Sequence, residues 1–248
     1  MRMTSMKNSK CKLCGTELVF ITKKTYEKIV DEIKPSFKSI SKEKDGIFSL
    51  CPQCDSYALG AELEAGYPLF DCDGIKNRIE NLHSSDEHKL KDMLRDGLDI
   101  VFCGTAAGNK SAESNSYYAG SSNSFWKVLM QVGLTKEEIM PENYAELLEY
   151  NIGFTDINKS ESGMDKDVDL GDDTDIAILK YKILKYAPKI LAFTSKEAAK
   201  MFFQSKNLQY GLQTLEIGRT KLYICPSTSG AARRYFDIKY WSELNDLV

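Results

Sequence analysis

Apolar and polar positions fall into a clear alternation from residue 98 onward. Leu98-Asp99-Ile100-Val101-Phe102-Cys103 reads as a short apolar strand that stops at Gly104. Ser124 to Val132 has helical spacing, with Phe125, Val128, Leu129 and Val132 on one face. Ile176 to Tyr186 is a second amphipathic helix, closed by Pro188. Lys189 to Phe193 has the continuous apolar character of a buried strand. Thr194-Ser195-Lys196-Glu197 then matches a capping box that opens a helix through Phe203. Lys221 to Cys225 is a further strand, ending at Pro226. Strands alternating with helices predict an α/β fold with three αβα layers around a mostly parallel central sheet. In such sheets the ligand site lies beyond the carboxyl ends of the strands. Two segments fall there, Gly104 to Gly108 and Pro226 to Arg234.

The chain upstream is different. Residues 1–60 hold two cysteine pairs, Cys11-x-x-Cys14 and Cys51-x-x-Cys54, separated by 36 residues. Two thiolates at i and i+3 share one tetrahedral Zn²⁺, and two such knuckles complete a closed four-thiolate site. A closed site is structural, and it stabilises a segment too small to build its own core. We therefore expect Zn²⁺ as a structural cofactor held by Cys11, Cys14, Cys51 and Cys54. Cys72, His83 and His88 have irregular spacing and no evident fourth ligand, which argues against a second metal site. Residues 61–97 read as a connector, with Gly66, Pro68 and Gly74 early and a charged helical stretch, Ser85 to Arg95, late. Residues 98–248 form the catalytic-type domain.

Composition narrows the class. Of 248 residues, 42% are hydrophobic and 28% charged, the balance of a soluble globular chain. No apolar run approaches the roughly 20 residues of a membrane span. Met1 to Lys10 is polar and lacks the apolar stretch of a secretory signal. Cysteines in CxxC pairs fit a reducing compartment, so the expectation is cytoplasmic. The net charge of −3 conceals a polarity: residues 1–44 carry +6, which leaves −9 for the remainder. A basic arm on an acidic body can still attract phosphates, because the local field governs contact; a solvated tail is the plainer alternative.

The chemistry concentrates in an ordered series. It runs from Gly104-Thr105-Ala106-Ala107-Gly108 through Ser111-Ala112, Tyr117-Tyr118-Ala119-Gly120, Asn123-Ser124-Phe125-Trp126 and Gly133-Leu134-Thr135. Gly153-Phe154-Thr155-Asp156 continues it, and Pro226-Ser227-Thr228-Ser229-Gly230-Ala231-Ala232-Arg233 closes it. This series resembles the mismatch-specific uracil and thymine branch of the uracil-DNA glycosylase superfamily. The resemblance implies a hydrolase that flips a base out of DNA and cuts its N-glycosidic bond. It implies that Gly104 to Gly108 approaches the sugar and the flipped base. It implies that Tyr118 stacks on that base and that Asn123 holds the loop ahead of Phe125-Trp126. It implies that Ser227, Ser229, Gly230 and Ala231 enter the minor groove and that Arg233 meets phosphate.

The chain also departs from that family. Relatives usually carry Gly-Ile-Asn-Pro-Gly, whose Asn orients the attacking water; here Ala106 takes that position. Relatives usually place a bulky wedge after Ser-Gly; here it is Ala231. Another polar residue must then serve the water. Asp156 is the choice, with Asp165 and Asp167 as runners-up. Ala106, Ala107, Ala231 and Ala232 would widen the pocket, which suits a bulky base better than uracil. Glucosylated hydroxymethylcytosine, excised as an anti-phage defence, is such a base. Two other functions stay open: a mismatch uracil/thymine glycosylase of base excision repair, and a modified-DNA-binding module without catalysis. The expected partner is double-stranded DNA, met by a monomer. Asp165-x-Asp167-x-Asp169 does not match a Ca²⁺ loop, since Ile176 stands where its final Glu would be.

Overall fold

The computed structural model describes residues 89–163 and 173–248, together with four short strands nearer the N-terminus. These are β1 (Val19–Ile21), β2 (Phe48–Leu50), β3 (Ser56–Leu59) and β4 (Phe70–Asp71), joined as an antiparallel sheet in that order. They belong to a compact unit formed by 1–82 and 172–185. Helix α3 (Asp173–Tyr186), whose Ile176, Ile178, Leu179 and Ile183 are buried, falls almost wholly in this unit. The four CxxC cysteines lie outside the described residues, as do Cys72, His83, His88, Asp165, Asp167 and Asp169.

The second unit, 83–171 with 186–248, is built on a five-stranded sheet. Its strands are β5 (Ile100–Gly104), β6 (Ile152–Asp156), β7 (Ile190–Phe193), β8 (Gly211–Ile217) and β9 (Thr220–Ile224). The order is β6-β5-β7-β9-β8, parallel throughout except for β8, which runs antiparallel to β9 at one edge. The mixed α/β expectation and its mostly parallel sheet hold. β5, β6 and β7 are buried along their whole length, the pattern of strands covered on both faces.

Alternation along the strands sorts the two faces. Ile100 and Phe102 of β5 and Ile190 and Ala192 of β7 join one core with α2 (Phe125–Gln131) and α5 (Ile238–Asn245). There the Phe102 ring stacks on Trp241 at 5.6 Å and meets Phe125 edge-on at 5.2 Å. Phe193, one step along β7, turns to the other face and packs on Phe202 of α4 (Lys196–Phe203) at 5.1 Å. A short helix α1 (Asn109–Ser114) and two 3₁₀ segments, Pro141–Tyr150 and Gly230–Tyr235, are its other helical elements among the described residues.

Two local expectations are corrected. Residues 89–95, read as part of a charged helix, are not helical: they bend at 89–90 and form an isolated bridge at Met93. Met93 exchanges both backbone hydrogen bonds with Phe154, at 2.8 and 3.1 Å, and so covers the free edge of β6. Leu90 and Met93 mimic helical spacing but are separate core contacts. Gly153 permits this pairing, because a Cβ there would collide with the Met93 carbonyl. The capping box is displaced by one residue: Ser195, not Thr194, caps α4, its Oγ accepting from the Ala198 N–H at 3.1 Å. Among the described residues no helix is long and apolar enough to cross a membrane.

Candidate active site

The carboxyl ends of β5, β6, β7 and β9 converge on one cavity of about 470 Å³. After β5 the chain enters Gly104–Gly108. The carbonyls of Gly104, Thr105 and Ala107 accept hydrogen bonds from the N–H groups of Ile157, Asn158 and Gly163, at 3.1, 2.9 and 2.9 Å. The glycine-rich loop is thus tied to the segment that follows β6. All five of its residues line the cavity. Thr105 is buried, and among the described residues its hydroxyl has no hydrogen-bond partner. An orphaned hydroxyl costs about 1–3 kcal/mol, and such groups concentrate at functional sites.

Tyr118 also lines the cavity. Its ring stacks on Phe125 at 4.0 Å and 15°, and its hydroxyl donates to Thr194 Oγ1 at 3.1 Å. Its backbone is left-handed, at φ 53°, a conformation unfavourable for an aromatic residue. Stacking and the Thr194 bond hold it there. Burial, and then the Asp156 charge, push its hydroxyl well above the ordinary tyrosine pKa, so it stays a neutral donor.

Asp156 ends β6, in register with Gly104. It is 5% exposed and lines the cavity. Lys159, equally buried, sits 3.6 Å from Asp156 Oδ2 and 2.9 Å from Asp92 Oδ1. Lys159 Nζ also donates to Tyr117 Oη at 3.0 Å, and Thr155 Oγ1 donates to Asp92 Oδ1 at 2.8 Å. Burial raises the Asp156 carboxyl above the ordinary aspartate value; Lys159 and a backbone hydrogen bond from Gly104 oppose that rise. Burial works against the Lys159 charge, but Asp92 and Asp156 outweigh it and raise its pKa.

The loop after β9 supplies the opposite wall through Ser227, Thr228, Ser229 and Ala231. Asn123 ties it down. Its Oδ1 accepts from Thr228 Oγ1 at 2.7 Å and from the Phe125 N–H at 3.0 Å. Gly230 lies against Ser122, and Arg233 and Arg234 are exposed in the last turn of the 3₁₀ segment. Gly230 and Arg233 are therefore outside the cavity wall, next to it in the chain. Sequence reasoning missed Asp92, Lys159, Thr194 and Ser195. The one available signal was Lys159 three residues beyond a buried strand's terminal Asp156.

A solution NMR structure of a candidate uracil DNA glycosylase from Methanosarcina acetivorans is similar to this chain at 19% identity and a TM-score of 0.42. The match covers 64% of this chain and 96% of that one. A family model described as the uracil DNA glycosylase superfamily matches residues 92–247, from the Asp92 that anchors Lys159 to just past α5. That span exceeds half of the sequence and takes in every residue that lines the cavity except Leu90: the chain belongs to the uracil DNA glycosylase superfamily.

Proposed function

We propose that this protein is a DNA glycosylase that flips a modified base from double-stranded DNA and hydrolyses its N-glycosidic bond. The observation that carries the reading is the buried Asp156 carboxylate at the wall of a cavity bounded by Gly104–Gly108 and Tyr118. As the C1′–N bond breaks, the electron pair leaves with the base and the sugar becomes oxocarbenium-like. Asp156 offsets that positive charge and accepts a proton from the water that adds to C1′. Tyr118, backed by Phe125, offers a stacking surface to the extruded base.

The substrate we infer is a bulky modified pyrimidine such as glucosylated hydroxymethylcytosine in phage DNA, with anti-phage defence as the role. Ala106, Ala107 and Ala231 all line the cavity, and its volume of about 470 Å³ lies within the ~300–1,000 Å³ of small-ligand sites. Ala106 in place of a water-holding amide favours a second reading, a modified-base-binding module without catalysis. Duplexes carrying uracil, G·T, hypoxanthine, hydroxymethylcytosine or its glucosylated form, treated with the protein and then alkali, separate the readings. Cleavage at the glucosylated base supports ours. Cleavage at uracil or G·T alone supports a repair enzyme, and binding without cleavage supports the module.

We further infer a structural Zn²⁺ on Cys11, Cys14, Cys51 and Cys54. Strand register supports this: Val19 pairs with Leu50, so both cysteine pairs flank the same end of the β1–β2 pairing in sequence. One zinc per chain, lost on Cys→Ser replacement, is the expected metal analysis.

A further inference from the structure

We propose that Lys159 is the positioning residue for Asp156: clamped by Asp92 and Tyr117, its ammonium keeps the carboxylate charged and aimed at the cavity. The inference rests on Asp156 being the catalytic carboxylate and adds what makes it usable. A carboxylate this deeply buried loses its charge unless an opposite charge stays beside it. Lys159 is that charge, and its place is over-determined. Its Nζ reaches Asp92 Oδ1 at 2.9 Å, Tyr117 Oη at 3.0 Å and Asp156 Oδ2 at 3.6 Å.

The geometry divides the labour. Asp92 holds the shorter contact and is itself fixed by Thr155 Oγ1, on the residue preceding Asp156. Tyr117 is pinned by stacking on Phe154 at 4.5 Å and by donating to the Lys91 carbonyl at 3.1 Å. Lys159 does not line the cavity, whereas Asp156 does. The ammonium therefore acts through Asp156. Lys159 thus bridges Asp92 and Asp156, and of these three only Asp156 reaches the cavity.

The groups facing Asp156 are Lys159 from its own loop, Asp92 from the segment before β5, and Tyr117 and Tyr118 from the loop before α2. The Gly104 N–H faces it from β5, while the Cys103 thiol faces Lys159. Lys159 and Asp92 push Asp156 in opposite directions, which gives a signed test. The midpoint of the Asp156 carboxyl is read by ¹³C NMR titration of the full chain, without substrate. Lys159→Met should raise it by about 1–3 pH units. Asp92→Asn keeps an acceptor oxygen and should lower it. Lys159→Arg should restore most of the wild-type value. The acid limb of single-turnover excision should move to the same shifted midpoints.

An unmoved midpoint in Lys159→Met, or shifts of the same sign in both variants, overturns the proposal. So does a rate lowered equally at every pH, the mark of a merely structural lysine. If Lys159→Met does not fold, the Asp92→Asn midpoint decides: a fall supports, no change or a rise overturns. Because the titration needs no substrate, opposite shifts without any base release would uphold the pair and reject the glycosylase reading alone.

Discussion

The Asp156 carboxylate fills the space in which a side chain on Gly104 would stand: a Cβ there would lie 2.5 Å from Asp156 Oδ1. The same Cβ would come within 3.6 Å of the Tyr118 hydroxyl. One missing side chain therefore lets a carboxylate and an aromatic ring meet at the end of β5. Gly104→Ala should leave the sheet intact but turn the carboxylate away. Displacement of about 1 Å in a reacting group can cost about 10²-fold in rate. Single-turnover excision should fall by that order while the far-ultraviolet circular dichroism is unchanged.

Thr105 gives a prediction in which stability and activity part company. Its hydroxyl is buried without a partner among the described residues. Thr105→Val replaces it with a methyl of similar shape and should stabilise the fold by about 1–3 kcal/mol. Urea unfolding measures this. If the hydroxyl finds its partner when the site is filled, the same variant loses activity as it gains stability.

Tyr118 combines stacking with a hydrogen bond to Thr194, and the two are separable. Tyr118→Phe keeps the ring and should weaken duplex binding little. Tyr118→Ala removes it and should cost about 1–3 kcal/mol, the value of stacking one base. Fluorescence titration with a duplex carrying the target base gives both numbers.

Arg233 and Arg234 are exposed beside the loop that forms one wall of the cavity, and Arg234 lies 4.5 Å from the Tyr235 ring centroid. If they meet phosphate, each Arg→Ala change should weaken binding to all duplexes alike. It should also reduce the dependence of log K on log salt by about one. A preference that changes with the target base would assign them to base recognition instead.

The elements differ in how openly the sequence declares them. β5 and β7 are apolar runs closed by Gly104 and Thr194, and they are legible because burial on both faces leaves no polar interruption; β9 exposes Lys221 and is legible from its apolar end, Leu222 to Ile224, ahead of Pro226. β8 is hidden: as an edge strand it exposes Thr214, Leu215 and Glu216. The 3₁₀ segment Pro141–Tyr150 buries only Leu147 and offers no stripe to read. In the site, Asp156 was legible through the motif around it. Asp92 and Lys159 were not, since a buried ion pair between residues 67 positions apart looks like two surface charges. The Asn123–Thr228 clamp, 105 positions apart, shows only half of itself in sequence, the local turn ahead of Phe125.

The proposed role of Asp156 is to drive hydrolysis of a glycosidic bond in this cavity. It is tested most directly by mass-spectrometric detection of free base, with abasic sites counted in parallel, under single-turnover conditions. Wild type and Asp156→Asn are compared on the best duplex of the panel. Equimolar free base and abasic sites are expected with wild type, and a rate about 10²–10⁴-fold lower with Asp156→Asn. A wild-type protein that binds the duplex and releases no base, or an Asp156→Asn variant at full rate, would contradict it.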